Sequence, residues 1–182
     1  MEKQFVTVDD GCRIAWRLDG PEDAPVVVLS YSPGTDMAMR PPQMPAVTRQ
    51  FRVLRYDSRG HGGSASPPGA YSMDRLGRDV VGLLDALGIE RVHFCGLSKG
   101  GMVGQWLAVH APERLDRLVL ANTSAYMGPP SGWQARIAGV LADGMTPLAE
   151  ASIARWFTPG FVAAAPDAVA PIRAMLLANG PA

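Results

Sequence analysis

The sequence predicts an α/β fold built on a mostly parallel sheet, and three observations carry that expectation. Val26-Val27-Val28-Leu29 is a continuous apolar run, the pattern of a strand buried on both faces. Val92–Cys95, a helical pattern over Lys99–His110, and Leu118-Val119-Leu120 follow one another as a βαβ unit, whose crossover joins parallel strands and is almost always right-handed. The chain has 182 residues, 47% hydrophobic and 19% charged, which is enough to close a core of its own as one domain.

Phe5–Val8 and Arg13–Leu18 alternate in polarity around Asp9-Asp10-Gly11, and Asp-Gly between β-prone runs predicts a hairpin. Phe51–Tyr56 reads as a further strand. Over Met73–Leu87, the residues Leu76, Val80, Leu83, Leu84 and Leu87 recur at helical spacing, with Ser72 as the N-cap and Gly88 as the stop. The Lys99–His110 helix ends ahead of Pro112. After Asn122 the character changes to Gly and Pro punctuation and Ala-rich helical pieces, Trp133–Ala142, Leu148–Trp156 and Pro166–Leu177. The chain therefore divides into an α/β core, residues 1–122, and a helical segment, residues 123–182.

Composition excludes several function classes. Seventeen basic residues balance seventeen acidic ones, so no electrostatic footprint for nucleic acid or an anionic membrane is expected. Two cysteines, Cys12 and Cys95, make neither a disulfide framework nor a Cys-rich zinc site. The opening residues lack a signal peptide's apolar core and no window approaches a membrane span, so a soluble, cytoplasmic protein is expected. A dinucleotide-binding reading is weak, because no G-x-G-x-x-G follows an early strand.

The motif that carries chemistry is Gly96-Leu97-Ser98-Lys99-Gly100, a G-x-S-x-G between a predicted strand and a predicted helix. In that setting the glycines permit a sharp turn that presents Ser98 as a nucleophile. The helix start aims free N–H groups at the same point, Lys99 N–H first among them, as an oxyanion donor. The plainer alternative is a turn serine that caps the following helix.

With these residues in place, the sequence resembles the α/β-hydrolase superfamily, and within it the 3-oxoadipate enol-lactonases. The resemblance rests on Ser32-Pro33-Gly34-Thr35-Asp36, Arg55-Tyr56-Asp57-Ser58-Arg59-Gly60-His61-Gly62, Gly96-Leu97-Ser98-Lys99-Gly100-Gly101-Met102 and Asn122-Thr123-Ser124. It implies an α/β-hydrolase-type sheet whose last two strands are absent, with the chain stopping inside a helical cap. It also implies a small-molecule ester or lactone as partner, an enol-lactone bearing a carboxylate from aromatic catabolism, and no cofactor or metal.

The same comparison exposes departures. The family's chain order is Ser, then an acid, then His. Only His110 follows Ser98, at the far end of its helix and about 18 Å away at 1.5 Å per residue. His61 precedes the serine and reads as a loop-ordering residue, and His93, which opens a strand, reads as structural. The triad base and acid are thus missing, and an impaired hydrolase is expected, or a non-catalytic binding or assembly protein on the same fold. The second oxyanion donor falls at Pro33, which has no N–H, and losing one such donor costs about 10²–10³ in rate. Tyr31, Arg40 and Lys99 also depart from the family pattern, Lys99 standing where an apolar residue is expected.

Trp133 and Arg136 lie three apart on one predicted helix face, suited to a carboxylate, or equally to a surface Arg lying over a core Trp. Met102 and Trp106 read as core packing and Cys95 as a small apolar filler. Leu118–Leu120 would be an apolar sheet edge, through which self-association is expected.

Overall fold

The computed structural model describes residues 3–39 and 41–180. Arg40 and the last two residues of the helical segment lie outside them. Six strands form one sheet: β1 (Gln4–Thr7), β2 (Arg13–Asp19), β3 (Val26–Ser30), β4 (Arg52–Tyr56), β5 (Val92–Leu97) and β6 (Leu115–Ala121). Their spatial order is β1-β2-β4-β3-β5-β6. The pairings of β3 with β4, β3 with β5 and β5 with β6 are parallel, while β1 and β2 join antiparallel at one edge. The helices are α1 (Met44–Val47), α2 (Met73–Ala86), α3 (Lys99–His110), α4 (Pro130–Asp143), α5 (Thr146–Trp156), α6 (Pro159–Ala164) and α7 (Pro166–Ala178). No helix of the described residues is long and apolar enough to cross a membrane.

The apolar run of β3 is buried on both sides, for the reason its composition suggests. Val28 joins Ile14, Leu54 and Phe94 against Leu76, Val80 and Leu83 of α2 and Val103 and Leu107 of α3. Val27 and Leu29 point the other way, with Val53, Ala15, Tyr31 and Met37. The β1–β2 hairpin closes through Gly11, at φ +84°, whose N–H donates to the Val8 carbonyl. Ser72 caps α2 by accepting from Arg75 N–H at 3.0 Å. Gly88, at φ +64°, ends that helix.

Beyond Ala121 the chain is helical, and Ala149, Ile153, Val169 and Leu176 of α5 and α7 make a separate small core. Helix α4 buries none of its residues, and Ile137 and Leu141 are exposed. Strand β6 lies at the sheet edge with Val119 and Leu120 exposed, while Leu118 packs inward on the α2–α3 side.

Candidate active site

The parallel strands β3, β4 and β5 end at one side of the sheet, and the loops after them converge there. Open α/β sheets place their ligands at this carboxyl end. At the end of β5 the chain turns through Ser98 at φ 55° and ψ −117°, a left-handed conformation that a non-glycine residue adopts only when its surroundings hold it. The backbone is held on three sides. Ser98 N–H donates to the Ala121 carbonyl at 2.9 Å, Thr123 Oγ1 donates to the Ser98 carbonyl at 2.8 Å, and Gly100 N–H donates to the Tyr31 carbonyl at 3.0 Å.

The two glycines are steric necessities. A Cβ on Gly96 would overlap Gly100, and one on Gly100 would overlap the carbonyl of Ser30, so strand and helix meet only through bare backbone. The capping alternative for Ser98 fails, because its side chain makes no capping bond to α3. Lys99 N–H, first in that helix, has no partner within it and stays available as a donor.

His61 has the loop-ordering role expected of it. Its Nδ1 lies 3.0 Å from the Arg59 carbonyl and its Nε2 accepts from Gly34 N–H at 3.0 Å, which assigns a neutral ring with the proton on Nδ1. Burial, with the charge of Lys99 beside it, pushes His61 down to about 4. His61 thereby bridges the loop after β4 to Pro33-Gly34 after β3. His110 bonds Trp106 through Nδ1 and stacks on its indole, and His93 faces Asp116 at 3.4 Å. None of the three histidines hydrogen-bonds Ser98.

Three residues to which the sequence assigned no role of their own hold these loops. Asp57, fully buried, accepts from Met37 N–H at 2.7 Å, Gly63 N–H at 2.8 Å and Lys3 Nζ at 3.1 Å. Asp79, buried in α2, pairs in two parallel bonds of 2.6 Å with buried Arg59. Its position between Leu76 and Val80 was the available signal, since a carboxylate on an apolar helix face needs a partner. Asn179, just past α7, donates to the Gly34 carbonyl at 3.0 Å and accepts from Gly62 N–H at 2.8 Å. No motif marks it.

Trp133 and Arg136 are brought together, with the guanidinium 4.8 Å above the indole centroid, and Trp133 Nε1 donates to the Met127 carbonyl at 3.3 Å. Both line a cavity of about 270 Å³ with Pro33, Gly34, His61 and Asn179. Ser98 is not part of that lining. The Lys99 ammonium is not part of the lining either; it lies 3.5 Å from His61 Nε2, and burial pushes it down to about 7. A more open hollow of about 520 Å³, between Asp85 and Arg114, lies at the opposite end of the strands, away from Ser98.

Comparison with known proteins fits this geometry. A family model described as the alpha/beta hydrolase fold matches residues 25–161. The curated 3-oxoadipate enol-lactonase 2 of Acinetobacter baylyi is 45% identical over 150 residues, 82% of this chain and 56% of that relative. The chain thus spans little more than half the length of that protein. The crystal structure of a hydrolase from Pseudomonas aeruginosa PA01 is 53% identical, with a TM-score of 0.94 over 97% of this chain and 67% of the other. The crystal structure of the enol-lactonase from Burkholderia xenovorans LB400 is 42% identical, with the same TM-score over 98% and 69%.

Proposed function

We propose that this chain, which belongs to the alpha/beta hydrolase family, carries the nucleophile and anion-binding half of a carboxylic-ester or lactone hydrolase. The observation that supports it most is Ser98, a non-glycine residue held at φ 55° on a strand-to-helix turn with its hydroxyl uncommitted to capping. In this reading Ser98 Oγ attacks the ester carbonyl, and the negative oxygen that forms is met by Lys99 N–H. The carbon–oxygen bond to the leaving oxygen breaks to give an acyl-enzyme, which water then hydrolyses. Arg136, on its Trp133 platform, holds a carboxylate elsewhere on the substrate. The likeness to enol-lactonases supports a ring ester bearing a carboxylate.

The serine proton requires a base, and His61 is committed through both ring nitrogens. The base therefore comes from outside the described residues, and residues 1–182 by themselves turn over slowly. A second reading, a binding or assembly protein on the same fold, is favoured by Pro33, which has no N–H to offer at the position of the second oxyanion donor.

Exposure of the purified chain to a fluorophosphonate, followed by intact-mass measurement, separates the two. Adduct formation in wild type and not in Ser98→Ala supports an activated serine. With its base outside these residues Ser98 labels slowly, on the strength of the turn and the Lys99 N–H, so a folded sample that after prolonged exposure is labelled no faster than Ser98→Ala removes the hydrolase reading and leaves the second.

A further inference from the structure

We infer that the Lys99 ammonium takes the place of the second oxyanion donor that Pro33 cannot supply, so that one residue meets the oxyanion with both its backbone N–H and its side chain. The inference rests on the nucleophilic reading of Ser98 above and turns Pro33 from an objection to it into half of a compensated pair.

Two departures from the family pattern meet here. Pro33 removes an N–H from the loop after β3, and Lys99 adds a cation where an apolar side chain is expected. The structure brings the two together. Gly100 N–H donates to the Tyr31 carbonyl at 3.0 Å, which ties the first turn of α3 to the loop after β3. Gly34, next to Pro33, donates its N–H to His61 Nε2 at 3.0 Å, and Lys99 Nζ lies 3.5 Å from that same nitrogen. The ammonium therefore stands no more than two hydrogen-bond lengths from the Gly34 N–H, beside the loop in which the donor is missing.

Its own donors are largely unspent. An ammonium has three N–H bonds, and the lone pair of His61 Nε2 is already taken by Gly34 at the shorter distance. Among the described residues no carboxylate lies within 4 Å of Lys99, and His61, neutral with its proton on Nδ1, brings no countercharge. A half-buried cation so placed is costly until a negative oxygen faces it. The reaction at Ser98 makes such an oxygen. As Ser98 Oγ bonds to the ester carbon, the carbonyl π pair moves onto oxygen beside Lys99 N–H, and the serine proton passes to the base outside the described residues. That charge lasts only until the leaving oxygen departs and the carbonyl re-forms, so an ammonium there favours the transition state over the neutral ester.

Rates of fluorophosphonate labelling of the 182-residue chain test this. In that reaction Ser98 Oγ bonds phosphorus, fluoride leaves, the serine proton passes to water, and the phosphoryl oxygen takes the oxyanion's place. At about pH 6 Lys99 keeps its proton and His61 stays neutral. There, Lys99→Met and Lys99→Gln, each shown folded by circular dichroism, should label about 10–100-fold more slowly than wild type, approaching the loss of one oxyanion donor. Pro33→Ala restores a backbone N–H, and a double-mutant cycle then separates compensation from packing. With Pro33→Ala in place, the cost of Lys99→Met should fall to about threefold or less. Equal or faster labelling of the folded Lys99 variants overturns the inference, and so does a cost that Pro33→Ala leaves unchanged. Labelling that depends on Ser98 and not on Lys99 removes this inference alone, while wild type labelled no faster than Ser98→Ala removes the hydrolase reading and this inference with it.

Discussion

The turn from β5 into α3 and the helix α4 both carry glycines, and the two regions use them in opposite ways. At the turn, Gly96 and Gly100 are bare because another stretch of backbone occupies the space a Cβ would need. In α4, Gly132 and Gly139 face open space, and the helix buries none of its residues. The first region is fixed by contact on every side; the second is a helix whose exposed Ile137 and Leu141 have little beneath them. The rigid part of the candidate site is thus the serine and its loops, and the adjustable part is the wall that bears Trp133 and Arg136.

Substitutions that treat the two regions alike should break them apart. Gly100→Ala forces strand and helix to separate at Ser30, costs about 3 kcal/mol or more, and leaves little soluble folded protein, as expression and circular dichroism would show. Leu83→Ala, at a fully buried site in α2, costs about 2–5 kcal/mol in urea unfolding, whereas Ile137→Ala, more than half exposed on α4, stays within about 0.5 kcal/mol.

A pH series sharpens the contrast at His61. Its folded pKa of about 4 lies below its ordinary value of 6.5, so between these values the unfolded chain binds more protons. Its contribution is whole above about pH 6.5 and is lost as the pH falls to about 4, an effect of about 1–3 kcal/mol given partial exposure. The difference in stability between wild type and His61→Asn should follow that window, and a flat difference would show a ring that titrates normally. Opposite in sign is Gly139→Ala, which fills empty space in a helix and should stabilise by about 0.5–1 kcal/mol, readable as a rise in Tm.

The same contrast explains what the sequence made legible. The strands and the helices α2 and α3 follow from periodicity because their apolar faces meet one core; the stripe Leu76, Val80, Leu83 is buried as its spacing demands. Ser98 was legible because a strand-to-helix G-x-S-x-G leaves the backbone few options. Helix α6 was missed although Thr158-Pro159 marks its start, since Thr158 Oγ1 accepts from Phe161 N–H at 3.2 Å; at six residues its periodic signal is too brief. Strand β6 begins at Leu115, three residues before its apolar run, because pairing with β5 and not hydrophobicity sets its length. The charge beside His61 was illegible, since Lys99 and His61 meet only through tertiary structure.

Asn179 has a consequence for how the molecule moves. One amide at the end of α7 grips Gly34 and Gly62, from the loops after β3 and β4, while also donating to the Met175 carbonyl of its own helix. The two loops and the terminal turn of α7 are thereby latched together, so α7 cannot swing away without releasing both at once. The Gly62 amide proton, handed to Asn179 Oδ1, becomes a natural clock for that event: its exchange with solvent deuterium keeps time with the lifting of a helix far along the chain.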